Sequence, residues 1–308
     1  MQYTGLLKRY AINRPVTCQE GDRYLKQDVR LAVEPAYELS VIRINSTYME
    51  LVDKFFSWKG FWSTTVIAAM VILGGGFGML SIELALDAMK SPKDWQLWLH
   101  SLGIGLIAVI GSIALFILLR KEAFAYTHYP IRLNRRTRMV HVFRLNGTVL
   151  TVPWDEVFFC IAALPQGDWE IQGHVLDADG VTVKETFPLS YYTPTSGLPV
   201  LERYWEFVRR YMEEGPEDAA HRVEFFMPVA DRRESIANGF HRMHAELGGN
   251  FIMTVIGAAL ALILIPGRWI AMQTSKVPKW PREIEEACRI EPGDPWIRDA
   301  TTVTPSAS

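Results

Sequence analysis

The nearest approach to a metal constellation in this sequence is His241-Arg242-Met243-His244, with Glu246 close behind. On a helix these residues would bring two imidazoles near one face. A zincin needs H-E-x-x-H, and that order is missing, so they read as surface or interfacial histidines. Asp177-Ala178-Asp179-Gly180 has the opening of a calcium loop, but the later ligands and closing glutamate are absent; it reads as a hairpin turn. Cys18, Cys160 and Cys288 lie far apart, without C-x-x-C or Cys/His ligand spacing, and read as unpaired structural thiols. No serine or cysteine stands in a nucleophile elbow, and no pair of carboxylates suits acid and base work. The sequence therefore predicts no enzyme, no metal and no cofactor. Gathering of His128, His141 or His174 with Asp155 in one cleft would reverse that reading.

Charge offers a different chemistry. Arg132, Arg135, Arg136, Arg138 and Arg144 cluster on one predicted hairpin just after an apolar run. Each basic residue near an anionic membrane is worth about 1 kcal/mol, so the cluster could hold a domain against lipid or dock a partner. The aromatic set Trp154, Phe158, Phe159 and Trp169 follows the core pattern, not that of a base-stacking platform, and the net charge is −2. Nucleic acid is not an expected partner. Asn45 and Asn146 head glycosylation sequons, but both fall on the side predicted to be cytoplasmic, and Asn146-Gly147 is a hairpin signal calling for a type I′ turn.

The elements that must position these residues are organised by two apolar runs, Phe61–Leu86 and Leu99–Leu119. About 20 apolar residues cross a bilayer, and both runs suffice. Mean hydropathy is +0.06 although 21% of residues are charged: membrane segments with sizeable polar regions. The first run also begins too deep in the chain for a cleavable signal peptide. Lys54 and Lys59 precede the first run, and Arg120 and Lys121 close the second. The positive-inside rule then puts the N-terminus and the following region in the cytoplasm, with Trp95 and Trp98 at the outer interface. Gly74 and Gly78 form a G-x-x-x-G pair. With Gly103, Gly105 and Gly111 they allow close helix packing, within the hairpin first and in a homo-oligomer as the alternative. Glu83, near the outer end, reads as interfacial.

The expected fold is membrane α+β. Residues 1–59 form a cytoplasmic N-terminal region with an amphipathic helix over 37–56, and 60–119 the transmembrane hairpin (61–86, 99–119). Residues 122–215 form a pleckstrin-homology-like antiparallel β domain. Its predicted strands are 129–134, 139–144, 148–152, 156–164, 169–176 and 181–189, closed by an amphipathic helix at 199–212. Residues 216–249 return as helix, 250–271 form a third transmembrane or re-entrant helix, and 272–308 a mostly flexible tail.

Tyr129-Pro130-Ile131-Arg132-Leu133-Asn134-Arg135, Val140-His141-Val142 and Pro153-Trp154-Asp155 resemble the core signature of an uncharacterised bacterial membrane-protein family. Its members place a P-I-R-x-N-R stretch after a membrane hairpin and occur beside type VI secretion effector genes. The resemblance covers about residues 50–215. It implies a multi-pass protein of a bacterial inner membrane. By association it implies an immunity protein against a pore-forming toxin, or an adaptor that docks an effector or secretion component. Expected partners are membrane lipids and a cognate toxin or secretion-system protein.

Overall fold

The computed structural model describes residues 10–91, 93–164, 167–194, 197–236, 239 and 251–302, with 194 and 251–261 as backbone alone. The chain divides into two compact units. The first gathers residues up to Ser57, Thr127–Arg233 and the segment from Val277; the second gathers Trp58–Tyr126 and Glu234–Lys276.

The first unit is built on two antiparallel sheets. One holds β1 (Arg14–Pro15), β9 (Thr182–Pro194), β8 (Asp168–Leu176) and β7 (Val157–Ala163), in that spatial order. The other runs β10 (Arg298–Asp299), β2 (Val41–Ile44), β3 (Tyr48–Leu51), β4 (Ile131–Asn134), β5 (Met139–Phe143), β6 (Val149–Pro153). A five-residue helix, α1 (Cys18–Asp22), precedes β2, and a long helix, which we label α4 (Leu198–Glu213), follows β9. The spacing of Leu201, Tyr204, Trp205, Val208, Tyr211 and Met212 puts all six on one buried stripe of α4. They join residues of both sheets in one core. At its centre Trp154 stacks on Trp205 at 5.7 Å, and Phe159 packs against both rings at 4.8 and 4.9 Å. Gly215, at φ +123°, ends the helix by donating its N–H to the Arg210 carbonyl. A short helix, α5 (Pro216–Arg222), follows.

Four expectations for this unit fail. The stretch 37–56 is no amphipathic helix; it forms the β2–β3 hairpin. Its turn is set by Asn45, whose side-chain oxygen accepts the Thr47 and Tyr48 N–H groups. All four residues of β3 are buried, so the strand lacks the alternation that would have revealed it. The segment after residue 272 is not mostly flexible within the described residues: Arg282–Ala287 is helical, and β10 pairs with β2. Ile284 and Cys288 bury themselves against Tyr48. Past Arg222 the return is not helical up to Ser235. It is an irregular segment with a turn at 228–232 that buries Val223, Phe226, Met227 and Val229. The Asn146-Gly147 turn also differs from type I′. Only Gly147 has positive φ, +82°, and its N–H bonds the Arg144 carbonyl. This is a type I turn closed by a left-handed glycine.

The second unit is helical. Phe61–Lys90 (α2) and Trp95–Leu119 (α3) are long and apolar enough to cross a membrane. Phe251–Thr274 forms α6, with Pro266 inside it; Arg282–Ala287 above is then α7. Residues Val71–Phe77 of α2, which include Gly74-Gly75-Gly76, are wound as π-helix. Such stretches are rare and cost stability in most sequences.

Candidate functional site

The helix seam follows from glycine positions. A Cβ on Gly74 would stand 2.7 Å from the Ser112 hydroxyl, one on Gly105 2.8 Å from Ser81, and one on Gly111 2.1 Å from Leu73. These three glycines let α2 and α3 touch. Gly78 and Gly103, expected to share the role, have nothing within 4 Å. Ser81 and Ser101 tie the same seam, each hydroxyl donating to the other's backbone carbonyl at 2.7 and 2.8 Å. The outer faces remain apolar and exposed, with Ile72, Met79, Ile82, Leu102, Ile110 and Ile113 each more than half accessible.

Where α2 begins, a buried carboxylate does the capping. Glu122 accepts the Gly60 N–H at 2.8 Å and the Ser63 N–H and hydroxyl at 2.6 Å. A negative charge at a helix N-terminus satisfies orphan donors and opposes the dipole. Arg268 of α6, also buried, pairs with Glu234 at 2.6 Å and donates to the Lys59 carbonyl at 2.8 Å.

The arginine cluster is not the open basic face that the sequence suggests. Arg132 is buried between the rings of Tyr48 and Trp280, 4.4 and 4.7 Å from their centres, and faces Glu50 at 3.2 Å and Glu285 at 3.4 Å. Arg138 clasps Asp155 and Glu213, Arg144 takes Glu185 at 2.5 Å, and Arg136 lies 3.5 Å from Glu291. Arg135 is half-buried beside the Gly215 turn. The acidic partners come from distant segments, so the local run of positive charge is largely neutralised once the chain folds.

The three histidines do not gather around Asp155. His128 contacts Thr127 and the edge of Phe56. His141 stands opposite Arg132 in the β4–β5 pairing and meets Thr151 at 2.9 Å. Burial, aided by the Arg132 charge, pushes its pKa down to about 4. The sign follows directly. Below the ordinary histidine pKa the unfolded chain binds a proton that folded His141 refuses. Its stabilising effect is therefore complete above about pH 6.5 and is lost as pH falls toward 4. The expected loss is about 3 kcal/mol. Unfolding midpoints followed by tryptophan fluorescence should fall more steeply from pH 7 to pH 4.5 in the parent than in His141→Gln.

His174 instead meets Glu20 and Cys160, and all three are buried. Cys160 lies opposite Gln172 in the β7–β8 pairing, so His174, two residues on, shares its face. The chain after α1 runs along β7, with the Leu25 N–H on the Phe159 carbonyl at 2.8 Å. That brings in Glu20. Thr17 and Glu20 form a capping box on α1, and Arg14 grips both Glu20 oxygens at 2.6 and 2.8 Å. The His174 Nε2 lies 3.3 Å from Glu20 Oε1 and 3.4 Å from Cys160 Sγ. Its Nδ1 is held by the Thr186 hydroxyl at 2.8 Å. Burial would raise the Glu20 carboxyl, but hydrogen bonds from His174, Arg14 and Thr17 outweigh it and hold the group well below the usual range. Burial and the Glu20 charge push the Cys160 thiol well up. Sequence spacing gives Cys160 no ligand role; the signal is the β7–β8 register, which needs the turn between the strands.

The Asp177–Gly180 loop is a hairpin turn whose oxygens are taken. Asp179 accepts Val181, Thr182 and the Thr182 hydroxyl, and Asp177 pairs with Lys184 at 2.9 Å. His241, His244 and Glu246 fall outside the described residues.

Comparison with curated proteins and with solved structures gave no match. One family profile matches, over residues 107–292, and is described as a family of unknown function (DUF6708).

Proposed function

The chain belongs to the family of unknown function DUF6708, and on that premise we propose that it is a non-enzymatic, multi-pass protein of a bacterial inner membrane. In this reading it protects the cell from a membrane-targeting, pore-forming toxin of a type VI secretion system. One observation carries it: the apolar circumference of α2 and α3 is left exposed. Only 6% and 11% of their most apolar windows are buried. Helices of 30 and 25 residues span about 45 and 37 Å, more than the roughly 30 Å of hydrocarbon. So large an apolar surface needs lipid or protein to cover it.

Inside the bilayer those faces would pack against the toxin's helices and block pore assembly. Lys54, Lys59, Arg120 and Lys121 favour a cytoplasmic N-terminus and β unit. The β unit fits a pleckstrin-homology-like plan: strands β3 to β6 in one sheet, β7 to β9 in the other, then α4. The neutralised arginines weigh against a membrane-surface adaptor. The genomic association with secretion effectors, implied by the P-I-R-x-N-R resemblance, supplies the toxin class.

The test is survival. A strain lacking the gene should be killed by the matched toxin and rescued by the intact chain. Ile110→Arg, on the exposed face of α3, should cost about 3 kcal/mol at a bilayer centre and abolish both membrane recovery and rescue. Survival of the deletion strain, or full rescue by a chain whose α2 and α3 no longer enter the membrane, would sink the proposal in favour of an adaptor.

A further inference from the structure

The buried cluster of Glu20, Cys160 and His174 brings three different ligand types from three segments together. Their ligand atoms all lie within 4.8 Å of one another. Zinc bonds of about 2.3 Å to sulfur and about 2.0 Å to nitrogen and oxygen, at tetrahedral angles, require S···N near roughly 3.5 Å and N···O near roughly 3.3 Å. The observed separations are 3.4 and 3.3 Å. We propose that Glu20, Cys160 and His174 bind one borderline-soft divalent transition metal, with zinc the best fit and an external ligand completing the tetrahedron.

The surrounding groups are arranged as a metal needs them. Glu20 Oε2 is saturated by Arg14, the Thr17 N–H and the Thr17 hydroxyl. Oε1 has Arg14 alone besides its approach to His174, which leaves a lone pair directed into the cluster. On metal binding the Nε2 proton now donated to Glu20 would pass to Nδ1, where the Thr186 hydroxyl accepts it, and the His174 ring would present its Nε2 lone pair to the same point. Metal-bound histidines are oriented in this way by a partner on the other nitrogen. Two acceptors and a sulfur converging on one point repel one another unless a proton or a cation sits between them. Phe158, stacked between Tyr24 and His174, walls the cluster on one side. Sulfur, imidazole and a single carboxylate suit zinc or cobalt, and exclude magnesium or calcium, which take oxygen ligands. Binding would displace the thiol proton to solvent and leave the oxidation state of every group unchanged.

The probe is Co2+ added to the detergent-solubilised full chain, with Zn2+ as competitor. One equivalent should give visible d–d bands and a near-ultraviolet thiolate-to-cobalt band, both erased by Zn2+. Cys160→Ser should abolish the charge-transfer band and weaken binding at least a hundredfold, while Cys288→Ser keeps both. Thr186→Val leaves all three ligands in place and should weaken binding by about 10- to 100-fold, which tests the cluster even where Cys160→Ser fails to fold. Absence of a charge-transfer band in the parent chain, or its survival in Cys160→Ser, overturns the assignment. So does Thr186→Val binding with parental affinity.

Discussion

Lys54→Met should destabilise the β unit by about 3–5 kcal/mol, the usual result of leaving one member of a buried ion pair without its partner. Lys54 and Glu170 are buried and in direct contact. Glu170 also accepts the Tyr10 hydroxyl at 2.5 Å and the Gln172 amide at 2.8 Å. Lys54 lies just beyond β3, of the six-stranded sheet, and Glu170 near the start of β8, in the four-stranded one. The pair therefore ties the sheets together, and the single variant strands a carboxylate in the low-dielectric core. Lys54→Met combined with Glu170→Gln removes both charges and keeps an acceptor for Tyr10. It should regain at least half of the loss. The check is a double-mutant cycle on urea midpoints, in low and in high salt. Buried charges are weakly screened, so the coupling should persist in salt. Coupling that vanishes in salt would place the pair in solvent and refute the account.

The second large effect is expected at Gly60, where α2 begins. Its φ is +97°, and a Cβ there would stand 2.3 Å from the Arg268 Cα and 2.6 Å from its backbone nitrogen. A left-handed conformation and a backbone contact act together, so Gly60→Ala must both strain its own residue and push α6 away. About 3 kcal/mol or more should be lost from the helical unit. The Arg268 bonds to Glu234 and the Lys59 carbonyl depend on the same approach. Gly75→Ala is the contrast. Nothing lies within 4 Å of its Cβ position, and alanine is the better helix former, so that variant should be neutral or stabilising. Thermal unfolding in detergent separates the two. Equal midpoints for both variants would mean that Gly60 and Arg268 do not approach one another as described.

The sequence made plain those parts whose pattern is local. The runs at 61–86 and 99–119 announced α2 and α3 because apolar length is a property of one segment. The alternation after Tyr129 announced β4 to β9, and the three-and-four spacing after Pro199 announced α4. What failed was what other segments complete. β3 is buried on both faces, so Tyr48, Met49, Glu50 and Leu51 carry no period. Trp280 and Ile284 looked like tail residues because the surface that they cover is made by β3 to β5. The arginines looked free because Glu50, Glu185, Glu213 and Glu291 stand far from them in sequence. The Glu20–Cys160–His174 cluster was hidden for the same reason, since its first member arrives from the opposite end of the unit.

β3 pairs with β4 directly, although the whole of α2 and α3 separates them in the chain, and β2 finds its outer neighbour only in β10. Synthesis from the N-terminus therefore delivers the β2–β3 hairpin with both edges bare. One edge waits until the helical hairpin has been made, the other until β10 emerges. Unpaired edges template aggregation, and pairings of long sequence separation form slowly. The β unit must close after the helices between β3 and β4 have been made. Its first strands need to be kept apart from other chains until β4 and β10 have been made.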